Sequence, residues 1–268
     1  MAHATEVPLQ VVQLTDMHLF ADTNATLLGL NTDTSLKKVI SLVKQQHLPN
    51  IIVASGDLSH DGSTEAYQRL RESFAPLHAV AYCLPGNHDE GKALRSQLND
   101  GQMRTCHKMV TENGWQMIFV DSTRAGSEGG HLSEQELYQL NETLTNSPSH
   151  PTLVWLHHQP VPIGSRWLDS MAVDNGDEFL AVLERHTQVR AVIWGHVHQQ
   201  FDITHQHFRL LASPSTCIQF QSCSEKFSID PTPPGYRWLK LYKDGSLETG
   251  VERLAEIPGE IDLSGTGY

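Results

Sequence analysis

The chain has 268 residues, of which 39% are hydrophobic and 19% are charged. This composition is that of a globular protein, and its longest apolar stretches fall far short of the ~20 residues needed to cross a bilayer. Asp and Glu outnumber Lys and Arg by 31 to 19, which gives a net charge of −12. Nucleic acid and anionic membranes are therefore not expected as partners, because both bind to basic surfaces.

The N-terminal residues show no basic start, no continuous apolar core and no small-residue cleavage site. A secretion signal is therefore not expected, and the sequence predicts a cytoplasmic protein. The cysteines are widely spaced and form no C-x-x-C pair; they are Cys83, Cys106, Cys217 and Cys223. In a cytoplasmic chain this spacing predicts buried thiols rather than disulfides or a zinc ribbon.

Short apolar runs alternate with helical patterns over the first two hundred residues. Buried strands are predicted at residues 9–14, 51–54, 80–84, 115–120, 152–156 and 189–194. Amphipathic helices are predicted between them, for example where Leu36, Val39, Ile40 and Val43 recur at helical spacing, and where Ser133 and Glu136 form a capping box. This alternation predicts an α/β sheet with helices on both faces.

The pattern changes after Val197. Strands are predicted at residues 199–204, 208–212 and 236–242 without helices between them, and residues 221–235 are predicted to form a loop. We therefore expect a C-terminal antiparallel portion that packs onto the α/β portion before it. Residues 1–256 are predicted to form a single domain, and residues 257–268 a C-terminal tail on its surface.

Metal-ligating residue types follow five of the predicted strands. They are Asp16 and His18; Asp57; Asn87, with His88 and Asp89; His157 and His158; and His196 and His198. Ligands bind outside the carboxyl ends of strands in open α/β sheets, so these side chains are expected to converge. A glycine precedes Asp57, Asn87 and His196, and there we expect it to let the backbone turn sharply.

Seven oxygen and nitrogen ligands are too many for one ion but suffice for two. They are Asp16, His18, Asp57, Asn87, His157, His196 and His198. Ligands of this kind, without sulfur, suit Mn, Fe or Zn. Two metals ~3.5–4 Å apart are a standard device for hydrolysing phosphate esters, and the sequence therefore predicts a dinuclear hydrolytic site.

The motifs D-x-H, G-D, G-N-H-D, H-H and G-H-x-H, in this order, resemble the calcineurin-like metallophosphoesterase superfamily. The resemblance implies a four-layer α+β fold, a β-sandwich of two mixed sheets flanked by helices. The segments L-G-L-N-T at residues 28–32 and S-T-C-I-Q-F at residues 215–220 are similar to the bacterial class III 3',5'-cyclic AMP phosphodiesterases of the CpdA type. This likeness covers most of the chain.

The resemblance implies one metal held by Asp16, His18, Asp57 and His198, and another held by Asp57, Asn87, His157 and His196. Asp57 would bridge them. It further implies that a metal-bridging hydroxide attacks the phosphorus of cyclic AMP and releases 5'-AMP, with Fe or Mn as the expected metals and Zn as a possible one. The substrate-binding residues expected from this site are His18, Asp57, Asn87, His88, His198 and Trp167.

His88 follows a ligand without being one, and together with Asp57 it is predicted to be catalytic. We expect it to contact a phosphoryl oxygen or to protonate the leaving alkoxide; the alternative is a structural imidazole paired with Asp89. Asp89 is predicted to orient a histidine from outside the ligand set. His158 is predicted either to support the site from outside the ligand set or to be a ligand itself. The remaining histidines are predicted to lie on the surface.

Residues 159–177 are predicted to form a loop at the rim of the site, where Trp167 could stack on adenine or anchor the loop. Phe220 is the next candidate for that contact.

A nucleotide phosphodiesterase or phosphomonoesterase of broader specificity remains the alternative function. A small cyclic nucleotide is the expected partner, and the protein is expected to be a monomer or a homodimer.

Overall fold

The computed structural model describes residues 7–99, 101–105 and 109–267. Its strands are β1 (Leu9–Leu14), β2 (Thr26–Leu27), β3 (Leu30–Asn31), β4 (Ile51–Ser55), β5 (Val80–Leu84), β6 (Met103–Thr105), β7 (Met109–Glu112), β8 (Trp115–Phe119), β9 (Thr152–Trp155), β10 (Val189–Trp194), β11 (Phe201–His205), β12 (Phe208–Ala212), β13 (Gln219–Phe220), β14 (Ile229–Asp230), β15 (Gly235–Leu241) and β16 (Leu247–Arg253). Its helices are α1 (Thr32–Gln46), α2 (Thr64–Phe74), α3 (Gly91–Gln97), α4 (Glu134–Asn146), α5 (Arg166–Asp169) and α6 (Gly176–Leu183), with a 3-10 turn at Ala75–Leu77.

Two six-stranded mixed sheets form the centre of the molecule. One has the order β16-β15-β1-β4-β5-β6, and the other has the order β11-β12-β10-β9-β8-β7. The strands β1, β4 and β5 run parallel in the first sheet, as β8, β9 and β10 do in the second. The β-sandwich of two mixed sheets that the family resemblance implied is therefore confirmed. The sheet with helices on both faces that the strand–helix alternation predicted is not found in the described part of the chain, because each sheet packs one face against the other sheet.

The sheets are buried on both faces, and the strand sequences reflect this. In β4, Ile51 and Val53 belong to the apolar layer between the sheets, whereas Ile52 and Ala54 pack in the layer that contains residues of α1, α2 and α3. The outer face of the second sheet is covered in the same way by α4, α5 and α6. Burial on both faces explains why these strands are continuous apolar runs rather than alternating patterns.

The C-terminal strands extend both sheets instead of packing on them as a separate portion. β15 pairs antiparallel with β1 and with β16, while β12 pairs parallel with β10 and antiparallel with β11. The prediction of a separate antiparallel portion was therefore wrong. Residues 221–235, predicted as loop, also carry the short strand β14. Two strands are added at the edge of each sheet, and strands added at an edge have no periodicity of their own that would distinguish these arrangements.

Hydrogen bonds from helix α1 fix the loops that follow β1 and β12. The hydroxyl of Thr32 donates to the main-chain carbonyl of His18 at 3.0 Å, and that of Ser35 donates to the carbonyl of Thr216 at 2.6 Å. The side chain of Asn31 caps the helix by accepting from the N–H of Thr34. The N-terminus of α1 thus holds two loops at the carboxyl edge of the first sheet.

The cysteine prediction holds only in part. Cys83 and Cys217 are buried free thiols, but Cys223 is exposed, because it lies in a surface turn between β13 and β14. Cys106 lies outside the described residues.

Over the part of the chain that the structure describes, no helix combines the length and the apolarity that a membrane span requires.

Candidate metal centre

Loops after β1, β4, β5, β9 and β10 bring the predicted ligands together at one edge of the sandwich. Asp16, His18, Asp57 and His198 are fully buried there, and His157 and His196 are each 1% exposed. The convergence follows from parallel strands whose carboxyl ends meet at the same edge. It brings together side chains from positions 16 to 198 of the chain.

The backbone is strained at the predicted ligands. Five of the seven have positive φ angles: Asp16 (54°), His18 (47°), Asp57 (49°), His196 (61°) and His198 (47°). Non-glycine residues seldom adopt this region, and such strain concentrates at functional sites. Gly56 at the end of β4 also has a positive φ of 102°. The loops are therefore shaped to aim side chains inward at a cost in local stability.

Two glycines near these residues are required by close packing. A Cβ on Gly86 would overlap the main-chain nitrogen and Oδ1 of Asp57, and one on Gly195 would overlap the hydroxyl of Thr15. The expectation that these glycines serve a sharp turn holds for Gly56 only, since neither Gly86 nor Gly195 has a positive φ. Both are needed because neighbouring loops approach within contact distance.

One half of the site is formed by Asp16, His18 and His198. The Nε2 atoms of the two histidines lie 3.3 Å apart, and His198 Nε2 lies 3.4 Å from Asp16 Oδ1. One ligand atom from each of the three side chains lies within 4.8 Å of the others. Asp16 also accepts the main-chain N–H of His196 at 3.0 Å. These contacts leave a carboxylate and two imidazoles directed at one point.

The other half is formed by Asn87 and His157, with Asp57 between the halves. His157 Nε2 lies 3.2 Å from Asn87 Oδ1 and 3.3 Å from Asp57 Oδ2. The same Oδ2 atom lies 3.7 Å from His18 Nε2 in the first half. One carboxylate oxygen therefore faces both groups of ligands.

His196 supports a metal site by a different observation. Among the described residues, neither of its ring nitrogens has a hydrogen-bond partner, although both are buried. Burying an imidazole without partners is costly unless another group binds it. Together with the carboxylate, amide and imidazole donors around it, this orphaned ring fits the two metal ions that the sequence predicts.

The charges of most of these groups suit metal binding. Burial holds the pKa of His18 and of His196 well below the usual value. Burial would raise the pKa of Asp57, but the adjacent His157 holds it well below its usual range. Burial lowers the pKa of His157, yet the Asp57 carboxylate outweighs this effect and raises that pKa to about 9. Ionised carboxylates and neutral imidazoles are the forms that bind metals. Asp57, His18 and His196 are already in these forms, whereas His157 carries a proton that a metal ion would have to displace.

His88 lies beside the ligand cluster and is bound through its main chain and its ring. Its N–H donates to Asp57 Oδ1 at 3.0 Å, and its Nδ1 lies 3.3 Å from the carbonyl oxygen of His60. His60 was predicted to lie on the surface, but it is half-buried and its Nδ1 lies 3.2 Å from His18 Nδ1. Nothing in the sequence distinguished it, because it follows Asp57 in a loop without a ligand motif.

Asp89 does not orient a histidine, so that prediction was wrong. Its carboxylate accepts the main-chain N–H groups of Leu58, Ser59 and Gly86, at 2.8 to 3.2 Å, and the hydroxyl of Tyr67 at 3.0 Å. Burial and the nearby Asp57 raise its pKa to about 6. Asp89 therefore ties the loop after β4 to the loop after β5.

His158 is held by the protein through both ring nitrogens. Nδ1 lies 2.9 Å from the hydroxyl of Ser122, and Nε2 lies 3.2 Å from the carbonyl oxygen of Glu128. Its ring lies against those of His157 and His196, with centroids 4.8 and 4.7 Å away. These contacts favour a packing role beside the ligands over a ligand role.

A cavity of about 350 Å³ opens next to the cluster. Its lining includes Asn87, His88, His196, Trp167, Phe227 and Gly267. The segment around Trp167 was predicted to be a loop, but it contains the short helix α5. Trp167 is partly buried, with its ring packed edge-on against Phe220 at 5.0 Å and Phe227 at 5.1 Å.

Phe220 is covered rather than available to a ligand. It is 1% exposed, and its ring stacks on that of His198 with centroids 4.2 Å apart. The C-terminal segment also reaches the site: the N–H of Asp262 donates to the carbonyl of Leu28 at 2.8 Å, and Gly267 lies at the cavity. The aromatic residues that border the cavity are therefore Trp167 and Phe227.

The fold and this cluster define a metal-dependent phosphoesterase. The sequence pattern of the calcineurin-like phosphoesterases matches residues 9–200, and the chain belongs to that family. The resemblance inferred from its motifs is thereby confirmed.

Its relatives are more specific. The chain is 40% identical to the 3',5'-cyclic adenosine monophosphate phosphodiesterase CpdA of Pseudomonas aeruginosa, over 99% of this chain and 97% of that protein. It is 39% identical to the CpdA of Escherichia coli strain K12, with the same coverage. Among solved structures, a dimetal phosphatase from Danio rerio shares the fold, with a TM-score of 0.65 at 15% identity over 92% of this chain and 99% of that one.

Proposed function

We propose that this protein hydrolyses 3',5'-cyclic AMP to 5'-AMP at a centre of two metal ions. The observation that carries the proposal is the position of Asp57 Oδ2, which lies 3.7 Å from His18 Nε2 and 3.3 Å from His157 Nε2. One oxygen facing two ligand groups is what a bridging carboxylate requires. The cyclic AMP phosphodiesterases to which the chain is 39–40% identical support the choice of substrate.

The ligands would divide between two ions. Asp16, His18, Asp57 and His198 would hold one; Asp57, Asn87, His157 and His196 would hold the other. When bound, the ions supply positive charge that neutralises the phosphodiester and activates water at neutral pH. This donor set suits Fe and Mn first, with Zn also acceptable.

His88 and Asp57 are the proposed catalytic side chains. Because His88 Nδ1 donates to the carbonyl of His60, its Nε2 is the nitrogen that would reach the substrate. As the imidazolium, with a proton on each ring nitrogen, it can donate to a phosphoryl oxygen or transfer its Nε2 proton to the departing ribose 3'-oxygen. His18, Asp57, Asn87 and His198 would contact the phosphate through the site they form.

The cavity next to the cluster would receive the nucleoside. Its polar end is formed by Asn87, His88 and His196, and its aromatic side by Trp167 and Phe227. An aromatic face beside a phosphate site suits a purine, because base stacking is worth ~1–3 kcal/mol. We propose Trp167 as the adenine contact.

The organisation of the chain remains part of the proposal. We assign residues 1–256 to one domain and residues 257–268 to a tail, whose partly buried Ile257 and Ile261 pack against the buried core. A cytoplasmic location and a monomer or homodimer are proposed with it. With a net charge of −12, a small anionic substrate is favoured over nucleic acid or a membrane surface.

Product analysis tests the function. The metal-free protein is reloaded with Mn²⁺ or Fe²⁺ and incubated with cyclic AMP, and the products are separated. We expect 5'-AMP alone; 3'-AMP, or no turnover with metal bound, would contradict the proposal. Cyclic GMP, 2',3'-cyclic nucleotides and an aryl phosphodiester form the comparison set. Equal turnover of all of them would favour the broader phosphodiesterase or phosphomonoesterase instead.

A further inference from the structure

His60 contacts both a candidate metal ligand, His18, and the candidate catalytic histidine, His88, whose own rings lie 4.9 Å apart. Its Nδ1 is 3.2 Å from His18 Nδ1, and its ring stacks on that of His88, with centroids 4.7 Å apart and planes inclined by 23°. The ring also packs against that of Phe20, with centroids 4.6 Å apart. The main-chain N–H of His60 donates to the carbonyl of Leu19 at 2.8 Å, which fixes its backbone to the loop after β1.

The ring of His18 has two distinct edges. Its Nε2 faces the ligand cluster, 3.3 Å from His198 Nε2 and 3.7 Å from Asp57 Oδ2. Its Nδ1 faces His60. A histidine that binds metal through Nε2 carries its proton on Nδ1, and a hydrogen-bond acceptor for that proton fixes both the tautomer and the ring orientation.

The comparable histidines of the site use main-chain acceptors. His157 Nδ1 lies 2.8 Å from the carbonyl oxygen of Ser55, and His198 Nδ1 lies 2.9 Å from that of Ile218. At His18 the group in this position is a side chain. Of these three ligands, His18 is the one whose orientation a substitution elsewhere in the chain can change directly.

We propose that His60 is a positioning residue for this site: its Nδ1 accepts the Nδ1 proton of His18 and so presents His18 Nε2 to a metal ion. The proton of the His60 ring then resides on Nε2. This inference rests on the proposed role of His18 as a ligand. It assigns a role to a side chain outside the set of seven ligands.

The geometry separates two functions of the same residue. The side chain of His60 acts on His18, whereas its main-chain carbonyl accepts from His88 Nδ1 at 3.3 Å. A side-chain substitution removes the first contact and retains the second. Its effect should therefore appear first in metal binding and only secondarily in proton transfer by His88.

Two substitutions distinguish the acceptor from the ring. His60→Phe keeps an aromatic ring between Phe20 and His88 but has no acceptor. His60→Asn loses the ring but offers Oδ1 near the position of Nδ1. His207→Phe serves as the control, because His207 is exposed and distant in the fold from the ligand loops. The affinity for Mn²⁺ is measured by competition with a chelator, without any nucleotide.

We expect His60→Phe to weaken binding of one of the two ions ~10–100-fold, the usual effect of losing such a partner. His60→Asn should restore most of that affinity, and His207→Phe should leave it unchanged. In the Zn²⁺-loaded protein, ¹⁵N spectra of the imidazoles should show His18 protonated at Nδ1 in the unmodified chain and an altered Nδ1 signal in the Phe variant.

Metal affinity in His60→Phe equal to that of the unmodified chain would overturn this inference and leave the proposed function intact. An equal loss in the Phe and Asn variants would also overturn it, since the acceptor would then not matter. If the unmodified chain bound metal but did not hydrolyse cyclic AMP, the proposed function would fail while the role of His60 could still be confirmed. An unmodified chain that bound no metal would overturn both.

Discussion

The Nε2 atoms of His18 and His198 lie 3.3 Å apart, although 180 positions of the chain separate the two residues. Both rings are fully buried, and each directs its other nitrogen to an acceptor, His60 Nδ1 for His18 and the carbonyl of Ile218 for His198. Two imidazole nitrogens that face each other in this way share a cation more readily than they tolerate two protons.

Asp57→Ala should abolish binding at both metal positions, because its Oδ2 faces both ligand groups. Asn87→Ala should weaken one position only, since Asn87 contacts the His157 half. Metal content per chain, measured after gel filtration, checks both variants, with the exposed Glu65→Ala as the control. Two tightly bound metals in the Asp57 variant would contradict the proposed bridge.

His88→Ala should retain both metals and lower kcat for cyclic AMP by ~10²–10⁴, the range for a lost general acid or electrostatic contact. Steady-state kinetics on two substrates identifies the role. An aryl diester with a good leaving group needs no proton donor, so the variant should lose less activity on it if His88 is an acid. Equal losses on both substrates would indicate a contact to a phosphoryl oxygen, and loss of a metal would show that His88 is a ligand.

Trp167→Ala should raise KM for cyclic AMP ~5–100-fold, as expected from the loss of a stacked base. A small diester without a base should be unaffected. Since Trp167 packs against Phe220 and Phe227, Trp167→Phe is the matched variant, because it keeps an aromatic ring in this contact. If both substrates suffered equally, Trp167 would be an anchor for helix α5, and the adenine contact would have to be sought at Phe227.

Gly86→Ala should reduce both stability and metal content, because a Cβ there would overlap Oδ1 and the main-chain nitrogen of Asp57. We expect the free energy of unfolding to fall by ~3 kcal/mol or more, which is the upper end of the usual cost of overpacking a buried position. Urea unfolding and metal analysis measure it. Gly91→Ala is the control, since the nearest atom to its Cβ belongs to the flexible side chain of Arg95 at 3.4 Å. Similar behaviour of the two variants would refute the close-packing argument.

Removing the metals should lower the melting temperature. When the free concentration of an ion is ~1,000 times its Kd, binding stabilises the native state by ~4 kcal/mol. For a domain of this size this corresponds to a rise in melting temperature of roughly 10 °C. Thermal unfolding is followed before and after dialysis against a chelator, and again after Mn²⁺ is restored. An unchanged melting temperature would mean that the buried cluster does not hold ions in the native protein.

The sequence by itself predicted the fold class and which polar side chains converge at one edge of the fold. Apolar runs such as residues 51–54 predict strands buried on both faces, and polar residues directly after several such strands are expected to meet at one edge of a parallel sheet. Chain order is enough for that inference, because the direction of each parallel strand fixes where its carboxyl end lies. Asp16, Asp57 and His196 were therefore predictable without coordinates.

Only the tertiary structure decided what surrounds those ligands. No sequence pattern shows what His60, Asp89 and Trp167 contact, because their contacts are made with loops that are distant in sequence or follow different strands. Asp89 accepts from main-chain N–H groups after β4, and a sequence cannot show which backbone groups a carboxylate will reach. Which nitrogen of a histidine faces a metal depends on the acceptor at its other edge, and that acceptor is positioned by packing between loops rather than by local sequence.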